Sequence, residues 1–214
     1  MRWLKKKTYP EFWTSYLEHF KTKTKDFNTL RFIAFDTETT GLNTETDRIL
    51  SIGAIAIKGH VIKVSDSYEC YIKQAVFNAK VVKINGLLKE GRLDKIDEST
   101  SIIQFLEYIK DSILVAHHAA FDVAMINAAL KRMNLPKLKN KVIDTGRIYK
   151  KTKYVKNDKH YSLDELCDMF NIRMHDRHTA SGDAYLTALL FLKLSSLLRK
   201  KNKGLKLSHF LDWI

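Results

Sequence analysis

Phe32-Ile33-Ala34-Phe35-Asp36-Thr37-Glu38-Thr39-Thr40-Gly41-Leu42 is an apolar run that turns polar within one residue. An unbroken apolar stretch followed by Thr-Thr-Gly reads as a buried strand running out into a tight turn. Side chains alternate across a strand, so Asp36 and Glu38, two positions apart, leave it on one face. Carboxylates aimed at one point repel at neutral pH unless a cation lies between them, and hard oxygen donors suit Mg²⁺ or Mn²⁺. The same pair also reads as ordinary acids in a solvated turn. The remainder of the chain decides between the two.

At 214 residues and 45% hydrophobic content, the chain suits one domain with a sizeable core and is excluded from the class of chains disordered throughout. Lys and Arg outnumber Asp and Glu by 37 to 24, a formal net charge of +13. That excess points to a polyanionic partner, nucleic acid first, although a merely basic soluble protein carries the same balance. Cys70 and Cys167 lie in apolar segments without ligand-like spacing, so both read as small core residues of a reducing compartment, and no zinc site is expected. No apolar run reaches membrane-spanning length. The expectation is a soluble, cytoplasmic protein that engages no membrane.

Before the quoted stretch, Phe12, Trp13, Tyr16, Leu17 and Phe20 recur at helical spacing behind Pro10, an amphipathic lead-in helix whose aromatic stripe reads as packing. After it, Ile49 to Ile57 and Val61 to Ile72 flank Gly59 as two antiparallel strands. Short helical turns are expected around Val81 to Leu88. A helix is expected from Ser101, with Gln104 completing a capping box. Ile113 to Ala116 is a buried strand that delivers His117, His118, Ala119, Ala120, Phe121 and Asp122 into a helix running to about Met133. Val142 to Thr145 is a strand and helix start with Asp144 as cap, and Ser162 with Glu165 forms a capping box for a further short helix. Between them, Lys150 to His160 is rich in Lys and bordered by Tyr149, Tyr154 and Tyr161. It reads as a loop against a phosphate backbone or, equally, as a solvated loop held open by its charge. The last long helix covers roughly Ser181 to Leu198, and the tail from Leu207 to Ile214 docks on the body or on a partner.

Two further acids sit where acids are expensive. Asp122 shares a stripe with Met125, Ile126, Ala129 and Met133, and Asp183 shares one with Leu186, Thr187 and Leu190. Convergence of Asp36, Glu38, Asp122 and Asp183 on divalent cations makes all four tolerable, and a carboxylate-held metal pair is a device for attacking phosphodiesters. His178, five residues before Asp183, is placed to take a proton from the attacking water.

Phe35-Asp36-Thr37-Glu38-Thr39-Thr40-Gly41-Leu42, His117-His118-Ala119-Ala120-Phe121-Asp122 and His178-Thr179-Ala180-Ser181-Gly182-Asp183 together resemble the three motifs of the DEDD exonucleases, in order. His five residues before the last Asp matches the DEDDh branch, the DnaQ-like 3′–5′ exonucleases related to the epsilon subunit of DNA polymerase III. The resemblance implies an α/β, ribonuclease H-like fold with a central mixed five-stranded sheet flanked by helices and an extra N-terminal helix. It divides the chain into an N-terminal extension at 1–28, an exonuclease domain at 29–198 and a C-terminal tail at 199–214. It implies two Mg²⁺ or Mn²⁺ ions held by Asp36, Glu38, Asp122 and Asp183, with Asp36 bridging, and His178 as general base. Thr39, Thr40, Gly41, Leu42, His118 and Phe121 would line the terminal nucleotide.

Many relatives have His-Asn at His117-His118 and His-Gly at Asn85-Gly86, so nucleotide contacts differ at those positions. The form of the first motif favours DNA, with RNA as the alternative substrate and a DNA polymerase or a second copy of the chain as candidate partners. A catalytically silent binding module is the reading from another class, and it expects at least one of the five catalytic positions to be lost. All five are present.

Overall fold

In the computed structural model, which describes residues 8–21, 29–74, 94–154, 159–202 and 204–211, the opening apolar run is strand β1 (Arg31–Thr39). It lies inside the sheet, antiparallel to β2 (Ile49–Lys58) and parallel to β5 (Ile113–Ala116). A strand paired on both edges and covered on both faces has no side to leave polar, which accounts for Phe32 to Phe35. β2 turns through Gly59 and His60, both at positive φ, into antiparallel β3 (Val61–Ile72). β6 (Val142–Asp144) extends the sheet in parallel beyond β5. β4 (Lys95–Ile96) pairs with the end of β3, so the order is β4-β3-β2-β1-β5-β6. The sequence led to an expectation of five strands. The sixth is β4, whose two register pairs, Tyr71 with Lys95 and Ile72 with Ile96, are too few to leave a periodic pattern.

The described helices are α1 (Glu11–Glu18), α2 (Glu98–Ile109), α3 (Ala120–Arg132), α4 (Thr145–Thr152), α5 (Leu163–Met169) and α6 (Ala180–Lys201). The alternation of β1 sorts them into two layers. Ile33 and Phe35 pack with Trp13 of α1, Ile102 and Phe105 of α2, and Met125 and Ile126 of α3. Phe32 and Ala34 face the other way, toward Ile148 of α4, Leu166 of α5, and Phe191 and Leu194 of α6. The α/β architecture expected from the sequence is the one observed.

Caps explain where the helices start. Ser162 Oγ accepts from the Glu165 N–H at 3.2 Å and Glu165 Oε2 accepts from the Ser162 N–H at 2.8 Å, the reciprocal box expected for α5. Asp144 caps α4 as expected, its Oδ1 accepting from Gly146 and Arg147 N–H groups. The start of α2 differs from expectation. Asp97 is its cap, accepting from the Thr100 N–H at 2.9 Å, and Ser101 lies inside the helix, fully buried, with its carbonyl taken by the Tyr68 hydroxyl. α6 runs three residues beyond its expected end, to Lys201.

The lead-in stripe packs as read. Trp13 and Tyr16 are buried, and the Tyr16 hydroxyl donates to Asn140 Oδ1 at 2.6 Å. In the tail, Phe210 is buried against Phe191 and the Leu211 carbonyl accepts from Lys151 Nζ, so its described part docks on the body. Both cysteines are buried and free. The expected turns around Val81 to Leu88, with Asn85-Gly86, and positions 155–158 of the Lys-rich stretch lie outside the described residues. Among the described residues no helix is long and apolar enough to cross a membrane.

Candidate active site

The two faces of β1 also divide the acids. Asp36 continues the face of Phe32 and Ala34, toward α6, and Thr37 continues that of Ile33 and Phe35, toward α3. Asp183 in the first turn of α6 therefore meets Asp36 and Glu38, and one carboxylate oxygen from each of the three lies within 4.8 Å of the others. The approach depends on Gly53, the register partner of Asp36 on β2. A Cβ there would stand 2.2 Å from the Ala180 carbonyl carbon and the Ser181 nitrogen. The turn before α6 is equally close: Thr179 Oγ1 accepts from the Gly182 N–H at 3.1 Å and donates to the Asp176 carbonyl at 2.6 Å.

Asp122 arrives from the opposite layer, in the first turn of α3. Its Oδ1 accepts from the Thr37 N–H at 3.0 Å and the Thr37 hydroxyl at 2.7 Å, and it stands outside the three-oxygen convergence. It is still felt there. Burial first, then Asp122, Asp183 and Glu38, hold the Asp36 carboxyl well above the usual carboxylate range, against a smaller pull from Arg177. Burial pushes Asp122 up to about 7 even though the hydrogen bonds from Thr37 favour its ionised form. Acids driven toward their neutral forms mark a site short of positive charge, and an all-carboxylate oxygen set at this spacing fits a hard divalent cation.

Arg177 supplies some of the missing charge. Its Nη1 is ion-paired with Asp183 Oδ1, while Nε and Nη2 clamp the Asp164 carboxylate of α5 at 2.5 and 3.2 Å. Among the described residues neither Arg177 Nη1 nor Asp183 Oδ1 has a hydrogen-bond partner beyond that ion pair. Sequence reasoning passed over Arg177 and Gly53. A glycine inside an apolar strand was the available signal for Gly53. Arg177 gave none, because its partners come from two helices.

The two conspicuous histidine positions behave differently. His178 is exposed, one residue before the Thr179 cap, at φ +63, and Asp176 nearby has φ +51. Two non-glycine residues in the left-handed region mark a turn held by its surroundings. His117 is fixed: its Nε2–H donates to the Tyr161 carbonyl at 3.0 Å, leaving Nδ1 to accept from the Thr145 hydroxyl at 2.9 Å. Burial lowers its pKa to about 4, so the ring is neutral. His118, exposed at φ +56, lies edge-on to His117 with ring centres 4.3 Å apart.

The turn after β1 is pinned by Asp47, another residue the sequence reading omitted. Thr40 Oγ1 donates to Asp47 Oδ1 at 2.8 Å and accepts from the Arg48 N–H at 3.0 Å, and Thr39 Oγ1 donates to the Gly41 carbonyl at 2.8 Å. A Cβ on Gly41 would meet the Asp47 carboxylate at 2.5 Å. The turn presents Leu42 outward, 84% exposed, while Phe121 is half-buried against the α1–α3 core.

Residues 33–191 match the RNase T exonuclease family. The chain is 33% identical over 171 residues to the DNA polymerase III epsilon subunit of Treponema pallidum, covering 80% of this chain and 79% of that protein. It is also 33% identical over 171 residues to the PolC-type DNA polymerase III of Caldanaerobacter subterraneus. There it accounts for 79% of this chain and spans only 12% of the polymerase. Among solved structures, E. coli exonuclease I in complex with a dT13 oligonucleotide superposes with a TM-score of 0.68 at 17% identity, over 81% of this chain and 42% of that one, a likeness of fold. The matched span runs from β1 through the His117 turn to the acid at the start of α6, and the chain belongs to the RNase T exonuclease family.

Proposed function

We propose that the chain is a metal-dependent 3′–5′ exonuclease that releases 5′-mononucleotides from single-stranded DNA. The observation that carries the reading is the convergence of Asp36, Glu38 and Asp183 oxygens within 4.8 Å, short of compensating charge. In this reading Asp36, Glu38, Asp122 and Asp183 hold two Mg²⁺ or Mn²⁺ ions. Ions held there would supply Lewis-acid polarisation of the phosphodiester and charge stabilisation for the leaving 3′ oxygen.

The chain's own residues do the rest. His178, exposed in the turn before α6, takes the proton of the attacking water. Thr37 orients Asp122 through its backbone N–H and hydroxyl. Arg177 steadies the Asp183 side chain against α5. The Thr39–Leu42 turn, with Leu42 outward, receives the terminal nucleotide beside Phe121 and His118. In this reading residues 29–198 form the exonuclease domain, with 1–28 and 199–214 as additions to it. A polymerase is the candidate partner, supported by the names of the relatives.

The test is release of nucleotide from 3′-labelled and 5′-labelled single-stranded DNA and matched RNA, with Mg²⁺ or Mn²⁺ and with chelator. The expected outcome is metal-dependent mononucleotide release from 3′ ends, faster on DNA. Faster RNA cleavage would reassign the substrate to exoribonucleolysis. Binding without cleavage of either polymer would make the chain a silent binding module.

A further inference from the structure

Against the His117–His118 turn, between the start of α4 and the segment leading into α5, lies a cleft of about 280 Å³. Its lining includes His118, Asp144, Arg147, Lys150, Lys159 and His160. Five of its ten lining residues are basic or imidazole side chains, beside Tyr149 and Tyr161. The one acid is already engaged: Asp144 Oδ1 accepts from the Gly146 and Arg147 N–H groups, and Oδ2 accepts from the Ala119 N–H at 2.9 Å. Lys159 is paired with Glu165 at 2.6 Å at the exposed edge. Lys150 Nζ instead faces His160 Nε2 at 3.5 Å, a neighbour with no negative charge, and among the described residues no carboxylate is paired with Lys150.

The walls are fixed. His117 ties the cleft wall at Tyr161 to the start of α4 through its two ring bonds, and the Ser162–Glu165 box holds the chain just beyond. His118 and His160 face each other across the cleft with ring centres 6.3 Å apart. A cleft held by these bonds, with the Lys150 ammonium facing no carboxylate among the described residues, suits an anion.

We propose that this cleft seats a backbone phosphate of the single strand, upstream of the bond being cut, with Lys150 and His160 as its ligands and Arg147 at its rim. The upstream placement rests on the exonuclease reading, in which the 3′ end occupies the acid cluster. Anion binding by the cleft does not depend on that reading. Phosphate binding of this kind sets register without reading sequence, so the site adds affinity for any strand long enough to reach it.

Equilibrium binding tests it independently of catalysis. A fluorescent thymidine strand of about ten nucleotides, a length typical of single-strand binding sites, is titrated with the full chain in chelator. Wild type is compared with the Lys150→Ala/His160→Ala double variant, with Lys150→Arg, and with Lys63→Ala on the exposed part of β3 as a control for charge loss alone. Binding should weaken about tenfold in the double variant and hold near wild type in the other two. The slope of log affinity against log salt should become shallower by about 0.7 for each phosphate that is no longer neutralised. A double variant that binds within twofold of Lys63→Ala, with an unchanged salt slope, overturns the site. Hydrolysis of the nitrophenyl ester of thymidine 5′-monophosphate, which lacks an upstream phosphate, is followed in wild type with Mn²⁺. Its absence would sink the exonuclease reading while the binding comparison still judges the cleft.

Discussion

Beneath α1, the Tyr16 hydroxyl donates to Asn140 Oδ1 and accepts from the Lys139 N–H, while the Asn140 amide gives its hydrogens to the Lys110 and Ser112 carbonyls. Burial raises the Tyr16 pKa to about 12, and every polar atom in that small network has a partner. At the carboxyl end of β1 the balance is reversed. Asp36 is held toward its neutral form by burial and by three neighbouring carboxylates, and Asp183 Oδ1 is ion-paired with Arg177, with no hydrogen-bond partner besides it among the described residues. Both regions bury polar groups, at opposite ends of the same strand. The first uses them to fix the α1 layer on the body, whereas the second retains a charge deficit that protonation or a bound cation relieves.

Substitutions at the two ends should therefore separate stability from activity. Asp36→Asn removes one of the crowded charges: nucleotide release should fall at least about a thousandfold, as expected for losing a metal ligand. Calorimetric Tm in chelator should rise by about 2–4 °C for each kcal/mol of relieved repulsion. Retained activity would erase the contrast. His178→Asn, which tolerates the left-handed backbone there, should lower kcat by about a hundred- to ten-thousandfold with Tm unchanged.

The pH dependence follows from the same deficit. Asp122 titrates at about 7 in the folded chain against 3.8 when unperturbed, and Asp36 is shifted in the same direction. The folded state then binds more protons than the unfolded one, so metal-free stability is full below the ordinary carboxylate pKa and declines as pH rises through about 7. Thermal melts in chelator should show that decline, and saturating Mg²⁺ should flatten it. The smallest effect belongs to the Tyr16–Asn140 network. Tyr16→Phe leaves Asn140 Oδ1 without its donor, which should cost about 1–3 kcal/mol while kcat stays at the wild-type value. A fall in kcat would mean that the two ends are coupled.

What could be read in advance follows the range of the interactions. The period-two spacing of Asp36 and Glu38 is local, so their shared face was legible, as was the Ser162–Glu165 box. The acids on the helix stripes, Asp122 and Asp183, were legible because a charge on a core face needs a reason. The start of α2 was misplaced because Asp97 and Ser101 both begin plausible caps, and burial of Ser101 beneath Tyr68 decides between them. β4 has two residues and no pattern of its own. Gly53 and the grip of Thr37 on Asp122 act across elements far apart in sequence, through register and layer packing that no window of residues contains, whereas Arg177 has its partners nearby, but on two different helices whose packing the spacing does not show.

The central claim is that the acids at the end of β1 form a metal centre. Calorimetric titration of Mn²⁺ into wild type and Asp36→Asn, each with thymidine 5′-monophosphate present, tests it most directly. The account predicts saturable uptake of two ions per wild-type chain and loss of at least one in the variant. No saturable uptake by wild type, or equal uptake by both proteins, would contradict it.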